Sequence, residues 1–524
     1  MKYDIETLHA KAADLERAAV EARRREEELM SALNSLENLS IAIFSLPDEI
    51  LEIIFECFVE GDTGSHTTSR NAGPWVIGQI CRRWRQLAHS TPSLWNMIRI
   101  DTHALPREPM KILKVWLERS QGLPLSGLLF LNQSSSATGI DDDIFQLVME
   151  NSHRWRYLEM KLGSRYDLYS RIASTEDLRF PLLQSLRILV NVPGAVNERP
   201  PPAPPLLSVT PLMAPSLTGA SLVVLVPSAL ESILALPWSQ LTELSMSLAT
   251  STRLKEIMAS LKRLERCSLQ ISSQFVIAAQ VVNLTPSLRR LELSGPLPNI
   301  INALSCLTST GLVELGLRPP GGSAVLPLVA QRLLESMAQL QTRSSCQLRR
   351  LYIPITLFSS PESPRIAEPL STVQALHLRL EGTTGSREAM RILKTSDVFR
   401  NLKELHLIVH KDGIGQAFVA SLPDFVDMVA SRRLLPSGRR SFRTTQLQCL
   451  EIDTIKYSGR SKPPLPVSRE MAERLLRLKS DGMIFLGRVA DGEWQPQHSA
   501  TTHWDLEVDQ RRWARFGYCD WLFD

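Results

Sequence analysis

The chain has 524 residues, of which 44% are hydrophobic and 22% are charged, which is ordinary globular composition and argues against wholesale disorder. At about 100–200 residues per domain, the length leaves room for several domains. The net charge of +4, from 59 basic and 55 acidic side chains, is nearly balanced and gives no electrostatic case for nucleic acid.

The N-terminal stretch lacks the apolar core of a signal peptide, and no run reaches the ~18 apolar residues of a membrane span. A soluble protein of the cytoplasm or nucleus is expected, with no membrane partner. Residues 4–40 predict one long helix. Leu8, Leu15, Ala22, Leu29 and Leu36 recur every seven residues, and Ile5, Ala12, Ala19, Glu26 and Leu33 fill the second core position. A heptad keeps one stripe on one face and invites a partner helix. This core is poor in large side chains, so a coiled-coil helix over 1–43 is expected to form a weak homodimer or to pack on its own chain. "RRREEE" at 23–28 reads as a solvated face with local ion pairs.

"SLPDEILEIIFECFV" predicts a helix with Pro47 in its first turn, where a missing N–H costs nothing, and with Asp48 and Glu49 favoured there by the helix dipole. Ile50, Leu51, Ile54, Phe55 and Phe58 form its apolar stripe. "GDTGSHTTSRNAGP", 61–74, reads as a loop. A helix then resumes near Trp75 and presents Ile77, Ile80, Cys81, Trp84 and Leu87. "STPSLW", 90–95, opens another turn.

From about residue 150 an apolar-x-x-apolar-x-apolar pattern recurs. It appears as "WRYLEM" (155–160), "LQSLRI" (183–188), "LTELSM" (241–246), "LERCSL" (264–269), "LRRLEL" (288–293), "LVELGL" (312–317), "LRRLYI" (348–353), "VQALHL" (373–378), "LKELHL" (402–407) and "LQCLEI" (447–452), with a blurred copy, "LTGASL", at 217–222. Successive starts from 241 lie 23, 24 and 24 residues apart, with longer insertions afterwards. This is leucine-rich-repeat spacing. The Asn or Cys of the full repeat is missing; Ser272, Pro296, Pro320, Thr356, Glu381 and His410 stand there instead. A degenerate solenoid over 151–460 is therefore expected, its other side varying between helix, 3₁₀ turn and loop. The Pro-rich segment 192–215 predicts an extended spacer, the Arg-rich 431–443 a solvated loop, and the tryptophans of 461–524 a cap on the open end.

The search for chemistry finds no phosphate loop, dinucleotide fingerprint, nucleophile elbow or H-E-x-x-H. The Asp run at 141–143 suits the start of a helix better than a cation site. His406 and His410 share one side of a strand but lie about 13 Å apart, too far for one metal. Seven scattered cysteines without a C-x-x-C pair argue against disulfides or zinc and for buried reduced thiols. No catalytic residue, metal or cofactor is expected, and the chain reads as a non-enzyme.

"LPDEILEIIF" followed by "ICRRWRQLAHSTPSLW" resembles the F-box in the form common among fungal F-box-like proteins. The matching positions are Leu46, Pro47, Ile50, Leu51, Ile54, Phe55, Cys81, Trp84, Leu87, Pro92, Leu94 and Trp95, and "VWLERSQGLPLSGLLFL", 115–131, looks like the segment that follows in such proteins. The 61–74 loop lengthens the spacing. The resemblance implies an α/β chain: an N-terminal coiled-coil helix, a helical F-box-like module over 44–100, a connecting helical segment over 101–150, then the solenoid with parallel strands on its concave face. It implies docking of the module on the small adaptor subunit of SCF-type ubiquitin ligases, and capture of a target protein by the repeats. The alternative is a repeat scaffold with no ubiquitin role. Leu46, Pro47, Ile50, Leu51 and Ile54 are the expected adaptor contacts, while Trp84 and Trp95 either join them or hold the module together from inside. Residues between the repeat leucines should line the concave face. They include Arg290, Glu292, Arg350, Tyr352, His377, Arg379, Glu404 and His406, a mixed-sign row suited to a protein surface.

Overall fold

The computed structural model describes residues 11, 15–30, 42–61, 66–69, 71, 73–102, 105–106, 108–131, 140–162, 178–190, 210–224, 234–276, 281–320, 326–358, 368–380, 386–394, 399–410, 415–433, 446–455, 465–466, 473–474, 477–478, 480, 484–486 and 489–490. Most of the Pro-rich and Arg-rich insertions, nearly all of the expected cap and much of 4–40 lie outside the described residues. The chain divides into two units, Met1–Phe130 with Thr138–Gln146, and Leu131–Ala137 with Leu147–Asp524. No helix among the described residues is long and apolar enough to cross a membrane.

In the first unit, residues 15–30 are helical. The charged run is tied along that helix, with Arg24 bonding Glu21 at 2.6 Å and Glu28 at 2.5 Å. Helix α1 (Asp48–Gly61) starts at Pro47, whose carbonyl accepts from the Ile50 and Leu51 amides at 3.2 and 3.1 Å. The helix expected to run from Trp75 past Leu87 is two: α2 (Gly73–Ile80) and α3 (Arg82–Ser90). The break is Cys81. Its backbone is extended, and its Sγ accepts the Trp84 amide at 3.4 Å, capping α3. Across the break, Arg85 donates to the Gly78 carbonyl at 2.7 Å.

The first unit continues past residue 100. Trp116, from helix α4 (Pro109–Arg119), stacks edge-on against Trp95 at 4.8 Å, and Trp95 meets Trp75 at 5.0 Å. The Arg119 guanidinium lies 4.5 Å from the Trp95 ring and 4.9 Å from that of Trp75. The segment 101–150, expected as a connecting helical segment, includes a strand. Strand β1 (Met97–Asp101) pairs in parallel with β2 (Leu125–Leu131), which alternates between buried and half-buried positions. Alternation buries one face of a strand, and a helix over the same residues could not reproduce it. Helix Ile140–Glu150 follows, with Asp142 and Asp143 near its start.

The second unit is built on a long parallel sheet. Its strands are β3 (Trp155–Leu162), β4 (Ser185–Val190), β5 (Gly219–Val224), β6 (Glu243–Thr250), β7 (Arg266–Val276), β8 (Arg290–Ser294), β9 (Glu314–Arg318), β10 (Arg350–Pro354), β11 (Ala375–Leu380), β12 (Glu404–His410), β13 (Cys449–Ile455) and β14 (Ile484–Leu486). Each lies beside the next in chain order, always parallel. The blurred copy at 217–222 supplies β5, between β4 and β6.

The three apolar positions of the recurring pattern explain this order. Leu244, Cys267, Leu291, Leu315, Leu351, Leu376, Leu405 and Leu450 stand in one register row, and all are buried. The leucines that open each copy, such as Leu241, Leu264, Leu288, Leu312 and Leu348, are buried as completely. Each large side chain removed from water contributes roughly 1.5–3 kcal/mol, so a strand that slipped by one residue would forfeit its whole row. One carbonyl marks each strand entrance by accepting two successive amides at 2.8–3.0 Å: Thr218 O from Thr242 and Glu243, Thr242 O from Glu265 and Arg266, Glu265 O from Arg289 and Arg290, and Arg289 O from Val313 and Glu314. The connections vary, as the loss of the Asn position predicts. They include helices α5 (Ser251–Ser260), α6 (Leu297–Cys306), α7 (Pro327–Ser344), α8 (Ser386–Lys394) and α9 (Gly415–Arg433), and the 3₁₀ turns Ile355–Phe358 and Glu368–Thr372.

Candidate functional site

Two surfaces stand out, one in each unit. In the first, α1 is apolar on two sides. Leu51 and Phe55 face inward and are fully buried, and Phe55 meets Trp84 edge-on at 4.9 Å. Ile50, Ile53, Ile54 and Phe58 face outward at 43, 56, 37 and 48% exposure, and Ile80 of α2 is half exposed. Residues at i, i+3, i+4 and i+8 share a helix face. Of the expected adaptor contacts, Ile50 and Ile54 lie on this face, Pro47 is exposed beside it, and Leu46 is half-buried. Leu51 does not lie on it: it is fully buried, a core residue beside Phe55. Trp84 and Trp95 are buried as well, and both hold the module from inside; the Trp95 indole donates to the Ala88 carbonyl at 2.7 Å.

The start of α1 is fixed by one side chain. Arg83 donates to the carbonyls of Phe44 at 2.7 Å and Leu46 at 2.6 Å, and to the Asp48 carboxylate at 2.5 Å. Thr91 and Ser93 donate to Glu52 and Glu56 at 3.2 and 2.6 Å. The polar edge of α1 is thus spent on its own module, while the apolar edge is left open.

In the second unit, the residues between the leucines form rows on the other side of the sheet. One row runs Ser245, Ser268, Glu292, Gly316, Tyr352, His377, His406 and Glu451 in register. The expected target-binding residues are gathered here. Tyr352 stacks on His377 at 4.1 Å, and His377 Nδ1 lies 2.8 Å from His406 Nδ1. Only one of two such facing nitrogens can carry the shared proton, so this contact requires at least one neutral ring. Burial above all, then His406, Arg350 and Arg290, pushes the His377 pKa well below its ordinary 6.5.

Arg290 and His406, both expected on a target-binding face, are buried. Arg290 lies 4.8 Å from the Tyr352 ring, with Glu314 at 3.7 Å and Glu292 at 3.8 Å. Arg350 pairs with Glu314 at 2.9 Å, and Arg318 with Glu292 at 2.6 Å. Arg350 and Glu404 are exposed, and Arg379 is half-buried. Sequence reasoning missed Gly316 and Arg318. Arg318 follows the last leucine of "LVELGL" as Arg379 follows that of "VQALHL", so the repeat alignment itself carried that signal.

Among the described residues no three His, Cys, Asp or Glu converge as metal ligands. Cys267, Cys306 and Cys346 are buried thiols, with Cys267 pushed up to about 12 by burial; Cys57, by contrast, is exposed on α1. The His410 side chain lies outside the described residues. Set against models of known protein families and against curated proteins, the chain matches none.

Proposed function

We propose that the chain is the substrate-recognition subunit of an SCF-type ubiquitin ligase. On this reading, Met1–Phe130 carries an F-box-like module that docks on the small adaptor subunit, and the parallel sheet is a degenerate leucine-rich solenoid whose outward rows hold a target protein. The observation that carries the reading is the open face of Ile50, Ile53, Ile54 and Phe58, joined by Ile80, on a module otherwise closed around its tryptophans. Single exposed apolar residues are ordinary, but a contiguous set on one helix marks an interaction surface. A few such anchors, well packed, dominate an interface. The order Leu46-Pro47, Cys81-Arg82-Arg83-Trp84, Pro92-Ser93-Leu94-Trp95 is the resemblance that names the partner.

Co-purification tests it. The adaptor should be retained by the wild-type chain and lost from the Ile50→Asp/Ile54→Asp variant. Wild type that retains no adaptor leaves the other reading, a repeat scaffold without a ubiquitin role.

A further inference from the structure

Every residue of the helix over 15–30 is exposed except Glu21, which is half-buried. Leu15 and Leu29 are 72 and 71% exposed. Both stand on the heptad stripe: Leu15, Ala22 and Leu29 hold one core position, and Ala19 and Glu26 hold the other. A shallow groove follows the stripe, lined by Ala18, Ala22, Arg25, Glu26, Leu29 and Met30. Helices owe most of their stability to packing of an apolar face, so a stripe left in water calls for a partner.

Charge decides what that partner is. Within the helix, Arg24 bonds Glu21 and Glu28, and Arg25 bonds Glu21. Glu16 and Arg23 stand outside these pairs. Each directly follows a core residue, Leu15 or Ala22, and so lies at the edge of the stripe. A second copy can run along the stripe in either direction. In a parallel pair each core position meets its own counterpart, which sets the two Glu26 carboxylates against each other. In an antiparallel pair one core position meets the other. With Ala19 opposite Ala22, Leu15 lies over the stem of the second copy's Glu26. Glu16 of each copy then stands beside Arg23 of the other, twice by symmetry. Ala18 faces the second copy's Arg25, and both line the groove, so the Arg25 stem covers the hollow that the small residues leave. No like charges meet at these edge positions.

We infer that this stripe is a self-association surface: two copies of the chain pair antiparallel through the helix over 15–30, and the reciprocal Glu16 and Arg23 contacts set the direction. Glu26 keeps the pair weak, because its carboxylate loses water beside an apolar Leu15. The contact is the same patch on both copies, so it closes at two. The inference does not depend on the adaptor reading. Joined to it, a receptor of this kind offers two sheets to one target, which raises its hold on a target that carries the recognised feature twice.

The test is sedimentation equilibrium of the full chain over about a hundredfold range of concentration. The expected result is a reversible equilibrium between one copy and two. Leu15→Asp/Leu29→Asp should abolish the dimer. Both side chains lie largely in water, so this variant stays folded, which a thermal melt checks. Glu26→Leu should tighten the dimer at least about tenfold, since an apolar residue replaces a carboxylate in the seam. Glu16→Arg should weaken it about tenfold, because two attractions become two repulsions, and Glu16→Arg/Arg23→Glu should restore it. That restoration separates the two directions. In a parallel pair Glu16 faces Lys11, and the double exchange would leave the new arginine against that lysine. A chain that stays single over this range, or a dimer unchanged by Leu15→Asp/Leu29→Asp, overturns the surface. A dimer that the charge exchange fails to restore overturns the antiparallel pairing.

Discussion

At the scale of single residues, the strongest constraints come from positions with little or no side chain. At Gly311 a Cβ would stand 2.0 Å from the Pro286 carbonyl oxygen and 3.0 Å from that of Leu288. Both obstacles are backbone, so nothing can rotate away. Gly311→Ala should cost about 3 kcal/mol, read as a lower urea midpoint; a cost below about 0.5 kcal/mol would contradict this packing. Gly316, in contrast, meets flexible side chains and should tolerate substitution. No sequence pattern separates these two glycines, since the difference lies in what the neighbouring copy places opposite each. The histidine pair was equally hidden. His377 and His406 are 29 residues apart and meet only because their strands are in register. His377 is harder to protonate in the folded chain than in the unfolded one, where its pKa is ordinary. The unfolded chain therefore binds more protons, so this contribution is complete above about pH 6.5 and is lost as pH falls below it. Urea midpoints measured from pH 7.5 to 5.5 should fall less steeply for His377→Gln than for wild type; parallel curves would contradict the assignment.

At the scale of elements, α1 shows what periodicity can and cannot resolve. The apolar stripe was legible, and so were Pro47 and the two acidic residues at its start. Its two faces were not. Leu51 and Phe55 pack inward, while Ile50, Ile53, Ile54 and Phe58 face out, and apolar residues on both sides look the same to a pattern search. The faces should separate by mutation. Leu51→Ala should cost about 3 kcal/mol, because it empties a closed core site. Ile54→Asp should cost clearly less, about 1 kcal/mol, because Ile54 is 37% exposed and closes no core site. Thermal melts of both variants check this, and equal losses would mean that the outward face is sealed. The break at Cys81 was likewise beyond the pattern: Ile77, Ile80, Trp84 and Leu87 continue a helical spacing straight through it. A cysteine accepting a hydrogen bond as a helix cap has no compositional mark.

At the scale of the whole molecule, the parallel sheet was the most legible feature. Three apolar positions repeated at 23–24 residues fix both the strands and their order, since each strand can bury its row only beside the next copy. Longer insertions between copies altered the connections and left the register intact, as between Leu315 and Leu351. The extent of the first unit was less legible. Nothing in the spacing tells that Trp116 and Arg119, beyond the apparent end of the module, complete its tryptophan cluster. The central claim, that the open face of α1 exists for a second polypeptide, is tested most directly by equilibrium titration of the purified chain with the purified small adaptor subunit. The account predicts saturable one-to-one binding, weakened at least about a hundredfold, or about 2.7 kcal/mol, in Ile50→Asp/Ile54→Asp while that variant stays folded with a cooperative thermal melt. No binding by the wild-type chain, or equal binding by the variant, would contradict it.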